Sequence, residues 1–267
     1  MQLPTLERHG RGARQQAFIV GLMPALVALA WLATLALPGM PFGVATSHGH
    51  GGALGELPEG SALLSFGLFL LAWMVMTMTM MLPTALPVVL TFTRLVQTRP
   101  GGAQRVAFFV MGYLAVWAGF GVVAYNVDLQ IHAAVHHSPF LASHTELLSG
   151  GVLLLAGAYE FAPLKARCLR QCRSSLGFLM NAWREGWGGA WLMGAHHGIF
   201  CIGCCWALML VMFALGMAQL GWMLGLTLLM VVEKVARRGE LVGRGAGLLF
   251  LLTGLATLVG YIGSPST

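Results

Sequence analysis

Charge is scarce in this chain. Only 9% of its 267 residues are charged, against roughly 25% in an ordinary soluble domain, while 57% are hydrophobic and the mean hydropathy is +0.78. That balance excludes a soluble globular protein and predicts an all-α, polytopic membrane helix bundle, with residues 1–267 as a single integral membrane domain. Once the apolar runs are counted, no length remains for a separate soluble domain. The net charge of +6 raises nucleic acid as a partner, but the basic residues stand where the cytoplasmic loops of a membrane protein would be. The partner implied by this composition is the lipid bilayer, with no nucleic acid.

Other absences remove particular chemistries. Lysine occurs only at positions 165 and 234, both at the ends of predicted helices, so the mid-helix Schiff-base lysine of a retinal protein is missing. No Cys-x-x-Cys-His haem attachment motif is present, since Cys204 is followed by Cys205 and Trp206. A phosphate-cradling glycine loop with a lysine is missing too, which leaves energy-coupled transport by this chain alone unsupported.

What is there is a series of apolar runs. They predict about seven transmembrane helices, near residues 17–37, 61–82, 106–126, 146–163, 187–216, 221–232 and 245–262. The first run is too long for a signal peptide and leads into further spans, so it is read as a retained helix. All fifteen Lys and Arg lie in the N-terminal segment 1–16 or after the second, fourth and sixth spans. The positive-inside rule then places the N-terminus in the cytoplasm and the C-terminus outside. Pro83 and Pro87 are expected to kink or end the second span.

The most chemically loaded run is 187–216, which is long enough to span a bilayer yet carries His196, His197, Cys201, Cys204 and Cys205. On a helix, His197, Cys201, Cys204 and Cys205 share a sector roughly 100° wide, with His196 pointing elsewhere. Coordinating side chains are costly in hydrocarbon, so their clustering there is a functional-site hypothesis. Thiolate and imidazole together suit copper(I), with zinc as the alternative. The bland reading is that cysteine packs between helices as a small hydrophobe.

Four further groups of candidates surround this run. Met74 and Met78, with Met81, fall at i, i+4 and i+7 of the second span; they are gap-filling core unless they face the cysteine helix, where thioethers could complete a site. Cys168 and Cys172, four residues apart in a basic loop, are either metal-binding or reactive thiolates favoured by neighbouring positive charge, or idle reduced thiols. The loop 127–144 is histidine-rich, and His132 and His136 have a chelating spacing if it is helical. Glu160 has Lys165 within reach, and an ion pair is its expected role.

The runs WMVMTMTMMLPTALP, MGYLAVWAGFG, GAYEFAPLKARCLRQCR and GIFCIGCCWALMLVMFALGMAQLGWM, followed by VVEK, resemble the bacterial predicted metal-binding integral membrane proteins, a family of unknown function with a membrane CxxCC motif. The likeness covers residues 61–235. It implies a multi-pass protein of the bacterial cytoplasmic (inner) membrane with a metal site, carried here by Cys201, Cys204 and Cys205 together with Cys168 and Cys172. It also implies an amide more often than an acid where this chain has Glu160, which argues against an essential ligand there.

Three functions follow as expectations. The first is binding and handling of a soft metal, copper above zinc, in uptake, delivery or metalloenzyme assembly, with a metallochaperone or metalloenzyme as partner. The second is a membrane thiol-disulfide oxidoreductase using Cys201 and Cys204. The third is a noncatalytic subunit or assembly factor whose thiols only pack.

Overall fold

The apolar runs fold into helices, and the computed structural model describes residues 28, 31–32, 62–138, 140, 145–215 and 220–263. Within these, eight helices follow one another: α1 (Ala62–Val96), α2 (Gly102–His137), α3 (Thr145–Glu160), α4 (Pro163–Arg173), α5 (Ser175–Ala182), α6 (Gly186–Leu215), α7 (Leu220–Val235) and α8 (Gly239–Gly263). There is no strand among the described residues. The expected all-α class stands.

Among the described residues the expected count of about seven spans is not confirmed. Four helices are long and apolar enough to cross a membrane, over Leu63–Val96, Gly102–Val135, Gly186–Met212 and Gly239–Gly260, or five if α3 and α4 are one span broken by a 64° bend. The bend follows from Pro163, which sits in the first turn of α4 and biases Ala162 to extended backbone (φ −68°, ψ 136°). Helix α7, where a sixth span was expected, has only 16 residues. The expected first span, 17–37, lies outside the described residues except for positions 28, 31 and 32.

Two helices run past the ends that their sequences suggest. Pro83 and Pro87 lie inside α1, because the apolar run 88–96 continues the helix and neighbouring helices support a proline within a span. Threonine hydroxyls donate to nearby backbone carbonyls here, Thr84 Oγ1 to Met81 O at 2.9 Å and Thr91 Oγ1 to Pro87 O at 2.7 Å. Helix α2 continues to His137 where a loop from residue 127 was expected, since no Gly or Pro interrupts the chain before Pro139.

Helix α6 is apolar all round and lies at the centre, against α2, α3, α4 and α7. Its approach to α2 is backbone on backbone. A Cβ at Gly194 would collide with the carbonyl oxygen of Phe109, and one at Gly112 with that of Trp191, so only glycine allows this spacing. Helix α1 closes the other side of α2, where Trp73 Nε1 donates to Trp117 O at 3.0 Å. The outward face of α8 presents Leu248, Leu249, Leu252, Leu255 and Val259, a strip compatible with insertion in lipid.

Candidate metal centre

Helical geometry puts the three central thiols together. The Sγ atoms of Cys201, Cys204 and Cys205 all lie within 4.8 Å of one another, and all three residues are buried. Cys204 Sγ and Cys205 Sγ donate to the Cys201 carbonyl oxygen at 3.1 and 2.8 Å. This holds both side chains back along the helix toward Cys201. The three sulfurs therefore converge without help from another element.

Other helices then close over them. From α1, Met81 places its Sδ 3.7 Å from Cys205 Sγ. From α2, Tyr113 Oη lies 3.2 Å from Cys201 Sγ. From α4, Cys172 Sγ is 3.8 Å from Cys204 Sγ, and Cys168 Sγ rests where a side chain on Gly203 would begin, 2.6 Å from that Cβ position. From α7, Lys234 Nζ donates to Cys201 Sγ at 3.1 Å and to Thr84 Oγ1 at 2.8 Å. Tyr159 Oη of α3 donates to Gly203 O at 2.5 Å, fixing the turn of α6 that bears the thiols.

The expected candidates are distributed unevenly around this cluster. Cys168 and Cys172 do not sit in an open basic loop; they are buried on the inner face of α4, while Arg167 and Arg170 are exposed on its other side. The thiols face α6 because α4 is amphipathic and its Cys168, Leu169 and Cys172 turn inward. His197 is buried but stands outside the group of three thiols. Its ring packs on Tyr113 and Phe178 at centroid distances of 5.9 and 5.2 Å, and its Nδ1 has no hydrogen-bond partner among the described residues. His196 is exposed, as its helical angle predicts. Met74 and Met78 are half-buried in the core wall, and the stripe reaches the thiols through Met81. His132 and His136 fall within α2, one turn apart, but their side chains lie outside the described residues, as do His48, His50 and His144.

A second buried polar group lies where α3, α4 and α7 meet. Lys165 pairs with Glu160, as expected, and also with Glu233 Oε1 at 2.9 Å. The three side chains are only 4%, 1% and 2% exposed. Removing such charges from water is expensive, and mutual pairing offsets that cost. Glu233 and Lys234 are consecutive, so one turn of α7 sends an acid to this group and an ammonium to the thiols.

Tyr113, Lys234 and Thr84 are the site residues that sequence reasoning missed. A lysine-poor chain whose second lysine sits beside an acid at the end of an apolar run was the available signal for Lys234. Tyr113 and Thr84 gave none apart from their places in the MGYLAVWAGFG and MLPTALP runs.

The arrangement defines an all-helical protein with a buried sulfur cluster, the donor type preferred by soft monovalent metals. The sequence model of the PpoB2 family, described as a copper chaperone, matches residues 70–257, and the chain belongs to that family. The match spans every residue of the sulfur cluster and of the Lys165 group. No curated protein and no solved structure matches the chain.

Proposed function

We propose that this chain is a membrane-embedded copper(I) chaperone that takes up the ion between α1, α4 and α6 and hands it to a metallochaperone or metalloenzyme. The observation that carries this reading is the convergence of Cys201, Cys204 and Cys205 within 4.8 Å. Copper(I) accepts two or three sulfur donors, which these thiols can supply, and Met81 stands beside Cys205 as a further, neutral one. Zinc favours four tetrahedral ligands, of which the α6 thiols supply three and Cys172, in contact with Cys204, is the nearest fourth thiol; the family's description as a copper chaperone favours copper over it. Cys172, touching Cys204 from α4, offers a step by which the ion passes between helices by exchange of thiolates. Orientation with the N-terminus in the cytoplasm, and residence in the bacterial inner membrane, belong to the same proposal and rest on the placement of Lys and Arg.

The test is elemental analysis of protein purified anaerobically in mild detergent and reconstituted with Cu(I). The expected result is stoichiometric copper in the wild type and none in a Cys201→Ser, Cys204→Ser, Cys205→Ser triple variant. Wild type that takes up neither Cu(I) nor Zn(II) ends the copper reading.

One observation favours a second reading. All five cysteines are free thiols, and the pair Cys172 and Cys204, on different helices, is close enough at 3.8 Å to form a disulfide after a small shift. A thiol-disulfide role would then run through this pair in place of Cys201 and Cys204. Titration of free thiols before and after mild oxidation, in wild type and Cys172→Ser, separates the two: a reversible loss of two thiols that Cys172→Ser abolishes supports the redox role.

A further inference from the structure

We propose that Lys234 makes this centre discriminate between monovalent and divalent ions, a role that rests on the copper reading above. The ammonium donates to Cys201 Sγ at 3.1 Å and to Thr84 Oγ1 at 2.8 Å, and its residue is buried. The nearest acids do not neutralise it: Glu233 turns to Lys165 at 2.9 Å, and Glu160 pairs with that same lysine. The anionic partners facing Lys234 are therefore the thiolates that a bound metal requires, Cys201 first, and paired with them it stands in the sulfur cluster as an ammonium.

Its consequence is independent of how many thiolates bind. For any fixed ligand set, complexes of Cu(I) and Zn(II) differ by one unit of positive charge at the metal. A metal held by Cys201 lies a few ångströms from Nζ, and the ammonium repels that extra unit in an interior of low dielectric. Attraction between the ammonium and the thiolates is the same for both ions and cancels from the comparison. Thr84 fixes the ammonium from α1, beside Pro83, so its distance to Cys201 is set by two helices and not by a flexible side chain alone.

The experiment measures Cu(I) and Zn(II) affinities by competition with chromogenic chelators, for wild type, Lys234→Gln and Lys234→Arg in detergent. In Lys234→Gln the preference for Cu(I) over Zn(II) should fall by roughly 200- to 1,000-fold, the order expected for one charge at this range with an effective dielectric near 20. Lys234→Arg, which keeps the charge, should retain most of the preference. An unchanged ratio in Lys234→Gln overturns the proposal while leaving the copper reading intact; wild type that binds no Cu(I) ends both. A measurement on wild type alone covers the case in which Lys234→Gln does not fold. Ag(I) should displace Cu(I), whereas Cd(II), equally thiophilic but divalent, should not, and efficient displacement by Cd(II) overturns the proposal.

Discussion

Cys172 of α4 and Cys204 of α6 meet across a helix interface with their sulfurs 3.8 Å apart. Their contact joins the helix bearing the central thiols to one attached through the 64° bend after α3. The pair thus connects the core of the bundle to a short amphipathic helix whose other face carries Arg167 and Arg170.

Cysteine and methionine replacements should grade the contributions to Cu(I) binding. Cys205→Ser removes a converging thiol and should lower affinity by at least about 100-fold, more than the 10- to 100-fold typical of outer-shell changes. Met81→Leu keeps the volume and removes only the thioether, so a loss on the order of 10-fold is expected, within that outer-shell range. Chelator competition reads both, and equal affinities for Met81→Leu and wild type would remove Met81 from the site.

The Lys165 group should prove far more sensitive to loss of its cation than to loss of one acid. Lys165→Met leaves Glu160 and Glu233 buried together and should cost about 3–5 kcal/mol, the range for breaking a buried ion pair. Glu160→Gln leaves the Glu233 pair in place and matches the amide expected there from the family resemblance. Thermal unfolding in detergent should therefore show a large fall in Tm for Lys165→Met and a small one for Glu160→Gln.

Contact between α2 and α6 should fail with the smallest possible addition. Gly194→Ala places a methyl group against the Phe109 carbonyl, and separating the helices should cost about 1–3 kcal/mol, as overpacking does elsewhere. Gly188→Ala, on the same helix with open space around it, is the control. A similar Tm for both would show that the two helices are not in backbone contact.

Acid should weaken the loop between α5 and α6. Trp183 Nε1 donates to Glu185 at 2.8 Å and Arg99 to its two carboxylate oxygens at 2.6 and 2.7 Å; these hold the Glu185 carboxyl below the usual carboxylate range, the tryptophan first and the arginine next. A depressed value in the folded state gives stability that is present above the unfolded value of about 4.3 and lost as pH falls through the folded value. Glu185→Gln should lie slightly below wild type at neutral pH and converge with it in acid. The group is exposed, so added salt should narrow the gap, and Tm measured against pH at two salt concentrations checks this.

The helical class and the thiol sector were legible because both depend on local periodicity. Cys201, Cys204 and Cys205 needed only the rise and twist of one helix to be grouped. Ion pairing of Glu160 with Lys165 was legible because only five positions separate them, so that they meet across the bend between α3 and α4. Contacts set by packing were not: Met81 is 124 positions from Cys205, and Lys234 is 150 from Thr84. Cys168 and Cys172 were misplaced because the basic residues around them indicated a loop, whereas a proline-started amphipathic helix turns the arginines out and the sulfurs in. The count of spans depended on how much bilayer a 16-residue helix such as α3 or α7 crosses, which neither hydropathy nor length alone determines.

A synthetic peptide copying Gly186–Leu215 would contain Cys201, Cys204 and Cys205 and none of Met81, Tyr113, Cys172 or Lys234. Each of those comes from a different helix: α1, α2, α4 and α7. Such a fragment would bind thiophilic ions with only the preferences that thiolate donors themselves impose. If Lys234 sets the ion preference as proposed, selectivity is acquired on assembly, and a CxxCC string transplanted into another membrane helix would carry the affinity without the discrimination.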